Sequence, residues 1–221
     1  MEWLDTGLQL LVGLRMTILL ILAAAPAGVA IGVIVGIARV YGPRPVRVLA
    51  FAYQNAFRGI PLIIQLYIIY YVLPRAGLRL DPFPSAVLAF SLCSGAYHSE
   101  YVRSALLSIP TGQLEGGLVL GMRRSVAVRA IILPQALRKS VPGCGNELIY
   151  LIKYSSLAYL VTLVDLTGAG RLEAYASFRF FETFLVVGMV YLAMVTLART
   201  ALRHIERRWR CGLDGRATTR T

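Results

Sequence analysis

Residues 16–38, MTILLILAAAPAGVAIGVIVGIA, form a run of 23 positions without a charged side chain. At about 1.5 Å of rise per residue, a helix of this length crosses a hydrocarbon core of roughly 30 Å. The apolar residues are continuous, without the alternation that a transmembrane barrel strand requires. The run therefore predicts a transmembrane helix, in which the backbone polar groups are satisfied within the helix itself.

The composition of the whole chain also indicates a membrane protein. The 221 residues are 57% hydrophobic and 15% charged, with a mean hydropathy of +0.65. Soluble domains usually carry about 25% charged residues. The formal net charge is +12, but the basic residues lie mainly between and after the apolar runs. The positive-inside rule explains that distribution without a nucleic-acid partner.

Five apolar segments predict an all-α, polytopic membrane protein with about five transmembrane helices. The predicted spans are 9–38, 46–73, 84–107, 140–168 and 181–203. Pro134, Pro142, Gly143 and Gly145 are expected to interrupt the fourth. The spans belong to one transmembrane domain, residues 1–210, and the polar tail 211–221 is expected to be disordered.

The distribution of basic residues predicts the topology. The loops after the first and third spans and the C-terminal segment carry an excess of arginine, whereas the other loops mix acids and bases. This asymmetry places the N-terminus outside, and the loop 108–139 and the C-terminus in the cytoplasm. The first residues, MEWLD, are acidic and precede no cleavage site, so the first span is expected to remain in the membrane.

Residue types that would carry covalent chemistry or hold a cofactor are scarce. The two lysines, Lys139 and Lys153, do not follow glycine, so the sequence has no phosphate-binding loop of the Walker type. The three cysteines form no CxxC pair and lie apart from the two histidines, which argues against a metal site. We expect no enzymatic activity and no bound cofactor, so any energised work takes its energy from another chain or an ion gradient.

The segment from Ser108 to Ala136 predicts a short helix between two membrane elements. Gln113 and Glu115 are expected in its first turn, and Gly121 is placed to end it as a C-cap glycine. Ser125 is expected to cap a second helix ending near residues 138–139. Leucine, valine and methionine give the first helix an apolar side, which suits a groove on a partner protein or the lipid headgroups equally well.

This segment resembles the EAA loop of ABC-importer permeases, in which Glu-Ala-Ala is followed at set distances by Gly and by Ile-x-Leu-Pro. The residues at matching positions are Glu115, Gly121, Ile131, Leu133 and Pro134. Gly116 and Gly117 stand where that family has two alanines. The resemblance favours docking on a partner ATPase and implies that coupling to it involves Gln113, Glu115, Gly116, Gly117, Gly121 and Pro134.

Other segments resemble the polar amino acid permeases within that group, over roughly residues 7–209. The matching segments are Arg58-Gly-Ile-Pro-Leu62 with Gln65, Gly95-Ala-Tyr97 with Glu100, Ser108-Ile-Pro-Thr-Gly-Gln113, and Asn146 followed by Lys153 and Ser156-Leu157. Ile60 replaces a usual Thr, and Tyr154 and Ser155 replace a usual Asp-Thr. The missing carboxylate at position 154 weakens the case for a cationic substrate on this subunit.

The resemblance implies a type I ABC-importer permease fold and a set of partners. These are a second permease subunit, identical or related, two ATP-binding subunits that hold ATP and Mg²⁺, an external substrate-binding protein, and the lipid bilayer of a prokaryotic inner membrane. It implies a polar amino acid as substrate. Pathway residues are then expected at Arg58, Gln65, Tyr97, Glu100, Asn146, Lys153, Ser155 and Ser156.

Structural explanations for the charged members of this set remain open. Arg58 could anchor at the membrane interface or pair with Glu100, Glu100 could pair with Arg103, and Lys153 could extend to the interface. Two alternative functions also remain: an ion-driven secondary transporter or channel that uses these charges, and a membrane anchor for an enzyme complex. Five spans without an internal repeat fit the first alternative poorly.

Overall fold

The computed structural model describes residues 2–210, with side-chain surroundings for residues 7–206. Within this part of the chain all regular secondary structure is helical, which confirms the all-α prediction. The tail 211–221, for which disorder is predicted, lies outside the described residues. The helices are α1 (Glu2–Tyr41), α2 (Arg44–Gly59), α3 (Leu62–Tyr67), α4 (Pro82–Leu107), α5 (Thr111–Val119), α6 (Arg124–Ala127), α7 (Leu133–Tyr154), α8 (Leu166–Ser177) and α9 (Phe180–Arg210).

Two helices of the described chain are long and apolar enough to cross a membrane alone. They are the Gly7–Tyr41 part of α1 and the Phe180–Glu206 part of α9. Two bent helix pairs would raise the number to four if each pair is one span. Helix α4 fills the predicted third span but is less apolar, because buried serines and His98 lie among its packed residues. A helix packed against other helices needs fewer lipid-facing residues than a peripheral one.

Helices α1 and α4 approach each other closely along a row of glycines. A Cβ added at Gly28 would lie 3.0 Å from Ser94 Oγ, and one added at Gly36 would lie 2.9 Å from Val102 Cβ. Between them, Gly32 lies directly against His98. Small residues at four-residue spacing allow this contact, because side chains there would separate the two backbones. The row places α4 at the centre of the bundle.

Gly32→Leu is expected to lower the free energy of unfolding by about 2 kcal/mol or more, because overfilling a packed interface forces backbone shifts. The measurement is the thermal unfolding midpoint of the purified full chain in detergent. Gly188→Leu is the matched control, since a Cβ at the exposed Gly188 of α9 would meet no atom within 4 Å. Equal midpoints for the two variants would contradict the close contact of α1 and α4.

The predicted second span, 46–73, is bent sharply in the structure. The segments Arg44–Gly59 and Leu62–Ala76 meet at an angle of 105°. Ile60 is extended, with φ −89° and ψ 128°, because the residue before Pro61 is hindered from the helical region. The Gln65 side chain spans the corner, and its Nε2 donates to the carbonyl oxygens of Phe57 at 2.8 Å and Ile60 at 2.7 Å.

The predicted break in the fourth span is misplaced. Pro142, Gly143 and Gly145 lie inside α7, where the two glycines receive Tyr101 and Leu202 in close contact. The second predicted helix therefore does not end at 138–139; the chain stays helical from α6 through a π-helical turn, Val128–Ile132, into α7. The interruption comes later, in the 3₁₀ segment Ser155–Val161, and the following axis turns by 54°.

A buried carboxylate starts α8 after this turn. Asp165 is fully buried, and its side chain accepts hydrogen bonds from the backbone N–H groups of Thr167 at 3.2 Å and Gly168 at 2.9 Å. Tyr191 of α9 donates its hydroxyl to the same carboxylate at 3.2 Å. The cap satisfies N–H groups that the first turn of a helix leaves unpaired. It also connects α8 to α9.

Candidate functional site

Helix α5 ends in a Schellman motif at the glycine that the sequence singled out. Gly121 has φ +79°. Its N–H donates to Leu118 O at 2.9 Å, and the N–H of Met122 donates to Gly117 O at 3.0 Å. These two bonds satisfy carbonyl groups that the last turn would otherwise leave free. The left-handed conformation favours glycine, because a Cβ there would crowd the backbone.

The apolar side chains of α5 divide between two directions. Leu114 packs against the cluster that α4 and α7 form with α1, and Gly117 lies against Ala127 and Ile131. The residues at the end of the helix point away, with Val119 87% exposed and Leu120 80% exposed. The helix therefore presents an apolar tip outside the bundle while its inner side is fixed to the bundle.

Two details of the predicted helix pair differ in the structure. Glu115 is exposed but lies beyond the first turn of α5, which begins at Thr111 and contains no acid there. Ser125 lies inside α6, and the N-cap is Arg123, which makes no side-chain capping bond. The spacing of residues in the sequence could not locate the first residues of α5 and α6, because these helix boundaries depend on how the two helices pack against each other.

Hydrogen bonds attach the start of the α5 region to α7. Gln135 Nε2 donates to Gln113 Oε1 at 3.4 Å, and Lys139 Nζ donates to Ser108 O at 3.2 Å. Pro134 lies directly after the π-helical turn Val128–Ile132, at the start of α7. Both bonds therefore join the start of the α5 region to the long helix that continues into the bundle.

Glu100 of α4 collects arginines from three helices. Its Oε2 accepts from Arg39 Nη1 at 2.6 Å, and its Oε1 accepts from Arg103 Nη2 at 2.6 Å. Arg58 Nη1 lies 4.0 Å from the same carboxylate. The Arg39 side chain is only 8% exposed. Arg39 follows the predicted first span, 9–38, but lies inside α1 in the structure.

Arg58 ends α2 beside an aromatic ring of α4. Its guanidinium lies 5.0 Å from the centre of the Tyr97 ring, close enough for a cation–π contact. The Arg58 side chain remains 38% exposed. The structure thus brings the predicted residues Arg58, Tyr97 and Glu100 together. The two pairings considered from the sequence, Arg58 with Glu100 and Glu100 with Arg103, belong to the same charged group.

Helix α7 exposes a polar and aromatic face. Asn146, Tyr150, Lys153 and Tyr154 are exposed and follow one another at helical spacing along one side. Tyr150 and Tyr154 stack with ring centres 6.1 Å apart, and Lys153 Nζ lies 5.5 Å from the Tyr150 ring centre. Of the predicted residues, Asn146 and Lys153 therefore share a surface.

Glu147 is a functional candidate that sequence analysis missed. It is 4% exposed, and no hydrogen bond or ion pair to it is formed among residues 7–206. Arg58, Tyr101 and Tyr154 lie within electrostatic range of it, so it joins the Arg58 group to the exposed face of α7. A carboxylate within an apolar segment was the available signal.

Three other predicted residues bond to nearby backbone. Gln65 is 4% exposed, and its amide nitrogen is used at the α2–α3 corner, while its Oε1 is buried without a partner. Ser155 Oγ donates to Ile152 O at 2.7 Å, and Ser156 Oγ donates to Lys153 O at 2.7 Å. Ser155 is buried and Ser156 half-buried, and a pathway role for all three stays a prediction.

The described residues form a helical bundle with the short helix α5 packed on it and a polar, exposed face on α7. The chain belongs to the family described as the binding-protein-dependent transport system inner membrane component, whose model matches residues 28–210. It is therefore a multi-pass permease component, as the EAA-type segment indicated.

Curated relatives cover almost the whole chain. The glutamine transport system permease protein GlnP of Escherichia coli (strain K12) is 37% identical over 201 residues, 90% of this chain and 92% of the relative. The arginine transport system permease protein ArtQ of Bacillus subtilis (strain 168) is 32% identical over 200 residues, 90% and 91%. The L-cystine transport system permease protein TcyB of the same strain is 44% identical over 154 residues, 70% and 66%.

Solved structures share the fold. The structure of an amino acid ABC transporter with histidines matches with a TM-score of 0.86 and 30% identity, over 93% of this chain and 96% of that chain. The methionine ABC transporter MetNI in an inward-facing conformation matches with a TM-score of 0.78 and 25% identity, over 91% and 96%. These matches confirm the predicted ABC-importer permease fold.

Proposed function

We propose that this chain forms half of the membrane pathway of an ATP-driven importer for a polar amino acid. The observation that carries the proposal is the face of α7 with Asn146, Tyr150, Lys153 and Tyr154. A charged and hydrogen-bonding surface at membrane depth is costly against lipid, so it faces water or another subunit. A second permease subunit, identical or related, covers this face and encloses a polar pathway.

The pathway residues follow from this arrangement. Glu147, a buried carboxylate, joins the predicted pathway residues. These are Arg58, Gln65, Tyr97, Glu100, Asn146, Lys153, Ser155 and Ser156. Glu147 supplies negative charge two helical turns before position 154, where the resemblance described above would place an aspartate. A carboxylate and nearby cations offer both the charge types that the ammonium and carboxylate of an amino acid require.

The topology proposed for this function has five spans, with the N-terminus outside and the C-terminus in the cytoplasm. Helices α1, α4 and α9 are three of the spans, and the bent pairs around α2–α3 and α7–α8 are the other two. The positive-inside distribution supports this direction and places α5 in the cytoplasm. The membrane is the inner membrane of a prokaryote.

Coupling is assigned to α5. Its exposed tip, Val119 and Leu120, offers an apolar surface for a groove on an ATPase subunit, and its hydrogen bonds to α7 transmit the movement. Two ATPase subunits hold ATP and Mg²⁺, and an external binding protein delivers the substrate. This chain is proposed to have no catalytic site and no cofactor of its own.

Reconstitution tests the proposal. The full chain, its permease partner if it has one, and the ATPase encoded with them are placed in liposomes with the binding protein. Glutamine, arginine, histidine and cystine are then supplied in turn. We expect at least one to stimulate ATP hydrolysis and ATP-dependent uptake by more than tenfold without an imposed ion gradient. Uptake driven by an ion gradient without the ATPase would instead support a secondary transporter, which the relatives do not favour.

A further inference from the structure

A cleft of about 730 Å³ opens where the end of α1 and the start of α2 meet the π-helical turn that follows α6. Four arginines line it: Arg44 and Arg47 from α2, and Arg124 and Arg129 from the other wall. The hydroxyl-bearing residues Tyr41 and Ser125 lie between them. Arg39 of the Glu100 group lies on α1 between the lining residues Ile37 and Val40, but neither proposed role of this chain uses the arginines of the cleft.

The arginines of this cleft lack an acidic counterpart. None of the four forms an ion pair in the described part of the chain. The described lining contains no carboxylate. All four side chains are exposed. Several guanidinium groups facing one space create a positive potential and offer paired donors that suit a phosphate group.

The remainder of the lining is apolar. Ile37, Val40, Val128 and Leu133 form it. Immediately beyond Arg47, α2 exposes further apolar residues, with Val48 59% exposed and Leu49 71% exposed. An exposed apolar surface of this kind suits acyl chains. Along one turn of α2, the surface therefore changes from positively charged to apolar. A membrane shows the matching change, from the charged phosphate level to the hydrocarbon.

We propose that this cleft binds an anionic phospholipid. The arginines hold the lipid phosphate, Tyr41 and Ser125 donate hydrogen bonds to the headgroup, and the upper part of an acyl chain lies on the apolar wall and along Val48 and Leu49. A free phosphate ion would use the arginines but leave the apolar wall without a ligand. An acidic surface of a partner protein would likewise leave it uncovered. A phospholipid matches both halves of the cleft.

A lipid bound there would connect two parts of the fold. It would join the α1–α2 corner to the helical segment that begins directly after the Schellman turn of α5. These two walls carry like charges, so the anion removes a repulsion between them as well as filling the space. Occupation of the cleft is therefore expected to stabilise the base of α5.

The test is native mass spectrometry of the delipidated full chain in detergent, titrated with phosphatidylglycerol or phosphatidylcholine. We expect phosphatidylglycerol to bind at least tenfold more tightly. The triple variant Arg44→Gln/Arg47→Gln/Arg124→Gln is expected to lose on the order of 100-fold in that affinity, since each arginine near a membrane surface contributes about fivefold. The control Arg138→Gln/Arg199→Gln/Arg203→Gln removes the same charge at exposed positions outside the cleft and should stay within about threefold.

Several results would overturn the proposal. Equal losses in the two triple variants would mean that general surface charge attracts the lipid. Complete displacement of phosphatidylglycerol by excess inorganic phosphate would mean a site for a free anion. Unchanged lipid binding with lost co-purification of the ATPase would assign the cleft to a protein partner. If the cleft triple variant does not fold, the single variants Arg44→Gln and Arg129→Gln replace it, each with an expected loss of about fivefold.

Discussion

Gly121→Val is expected to abolish amino acid uptake while leaving the chain inserted in the membrane. Gly121 has φ +79°, and nothing lies within 4 Å of the place where a Cβ would be. The neighbouring side chains therefore leave room for a larger residue, and the constraint comes from the local backbone conformation. A non-glycine residue in the left-handed region costs about 1–2 kcal/mol, and a β-branched side chain costs more. The Schellman bonds from Gly121 and Met122 would be lost with this conformation.

The consequence for transport comes from the position of this turn. Val119 and Leu120 precede Gly121 directly, so a frayed last turn moves the apolar tip that we assign to the ATPase. Uptake into liposomes should fall at least about tenfold, because a loss of 1.4 kcal/mol in docking already has that effect. ATP hydrolysis should no longer respond to the loaded binding protein.

Two controls separate backbone strain from the loss of a glycine. Gly121→Asn should retain most of the uptake, because asparagine enters the left-handed region more readily than other residues. Gly116→Ala introduces a Cβ into open space within the same helix and should also be active. If Gly121→Val transported as well as Gly121→Asn, α5 would not be the coupling element, whatever the family resemblance implies.

Glu100→Gln is expected to cause the largest loss of stability of any single charge removal in the bundle. It leaves Arg39, only 8% exposed, without its anionic partner at 2.6 Å. Breaking a buried ion pair from one side costs about 3–5 kcal/mol. The Glu100 side chain is 25% exposed, so solvent screening places the expected loss near the lower end, about 3 kcal/mol. The measurement is thermal unfolding of the purified chain in detergent.

A mutant cycle shows whether the pair is the cause. Arg39→Gln/Glu100→Gln should be more stable than Glu100→Gln alone, because the unpaired buried charge is removed with its partner. Arg103→Gln should cost less than Arg39→Gln, since the Arg103 side chain is 32% exposed. Wild-type stability for Glu100→Gln, combined with lost uptake, would mean that Glu100 serves the pathway and holds no structural charge.

Local patterns in the sequence predicted some features correctly. Glycines at residues 28, 32 and 36 have the four-residue spacing that favours a close helix contact, and Gly121 was placed to end α5. Both features depend on what one residue type allows at its own position, so one sequence is enough to recognise them. Helix ends controlled by neighbours were predicted less well, as the misplaced break in the fourth span shows.

Pairing between distant residues could not be predicted. Arg39 and Glu100 are 61 residues apart, and nothing near either one in the sequence identifies the other. Gln65 is a polar residue in an apolar segment, a pattern that suggests a pore-lining role. In the structure its amide nitrogen donates to backbone carbonyl oxygens at the α2–α3 corner. Glu147 was overlooked because its significance depends on burial and on the absence of a hydrogen-bond partner, which only side-chain packing reveals.

The sequence by itself determined that this protein is a helical membrane protein, because hydropathy and charge distribution act locally. Its motifs resembled those of ABC-importer permeases, and the family match confirms that resemblance. Only the tertiary structure decided which charges compensate each other, which face of α7 remains polar and open, and which arginines remain without a partner. Those properties depend on distances between helices that are far apart in the chain. The apolar run from Met16 to Ala38 indicates a transmembrane helix from its sequence alone. Its close packing against α4 is a property of the tertiary structure.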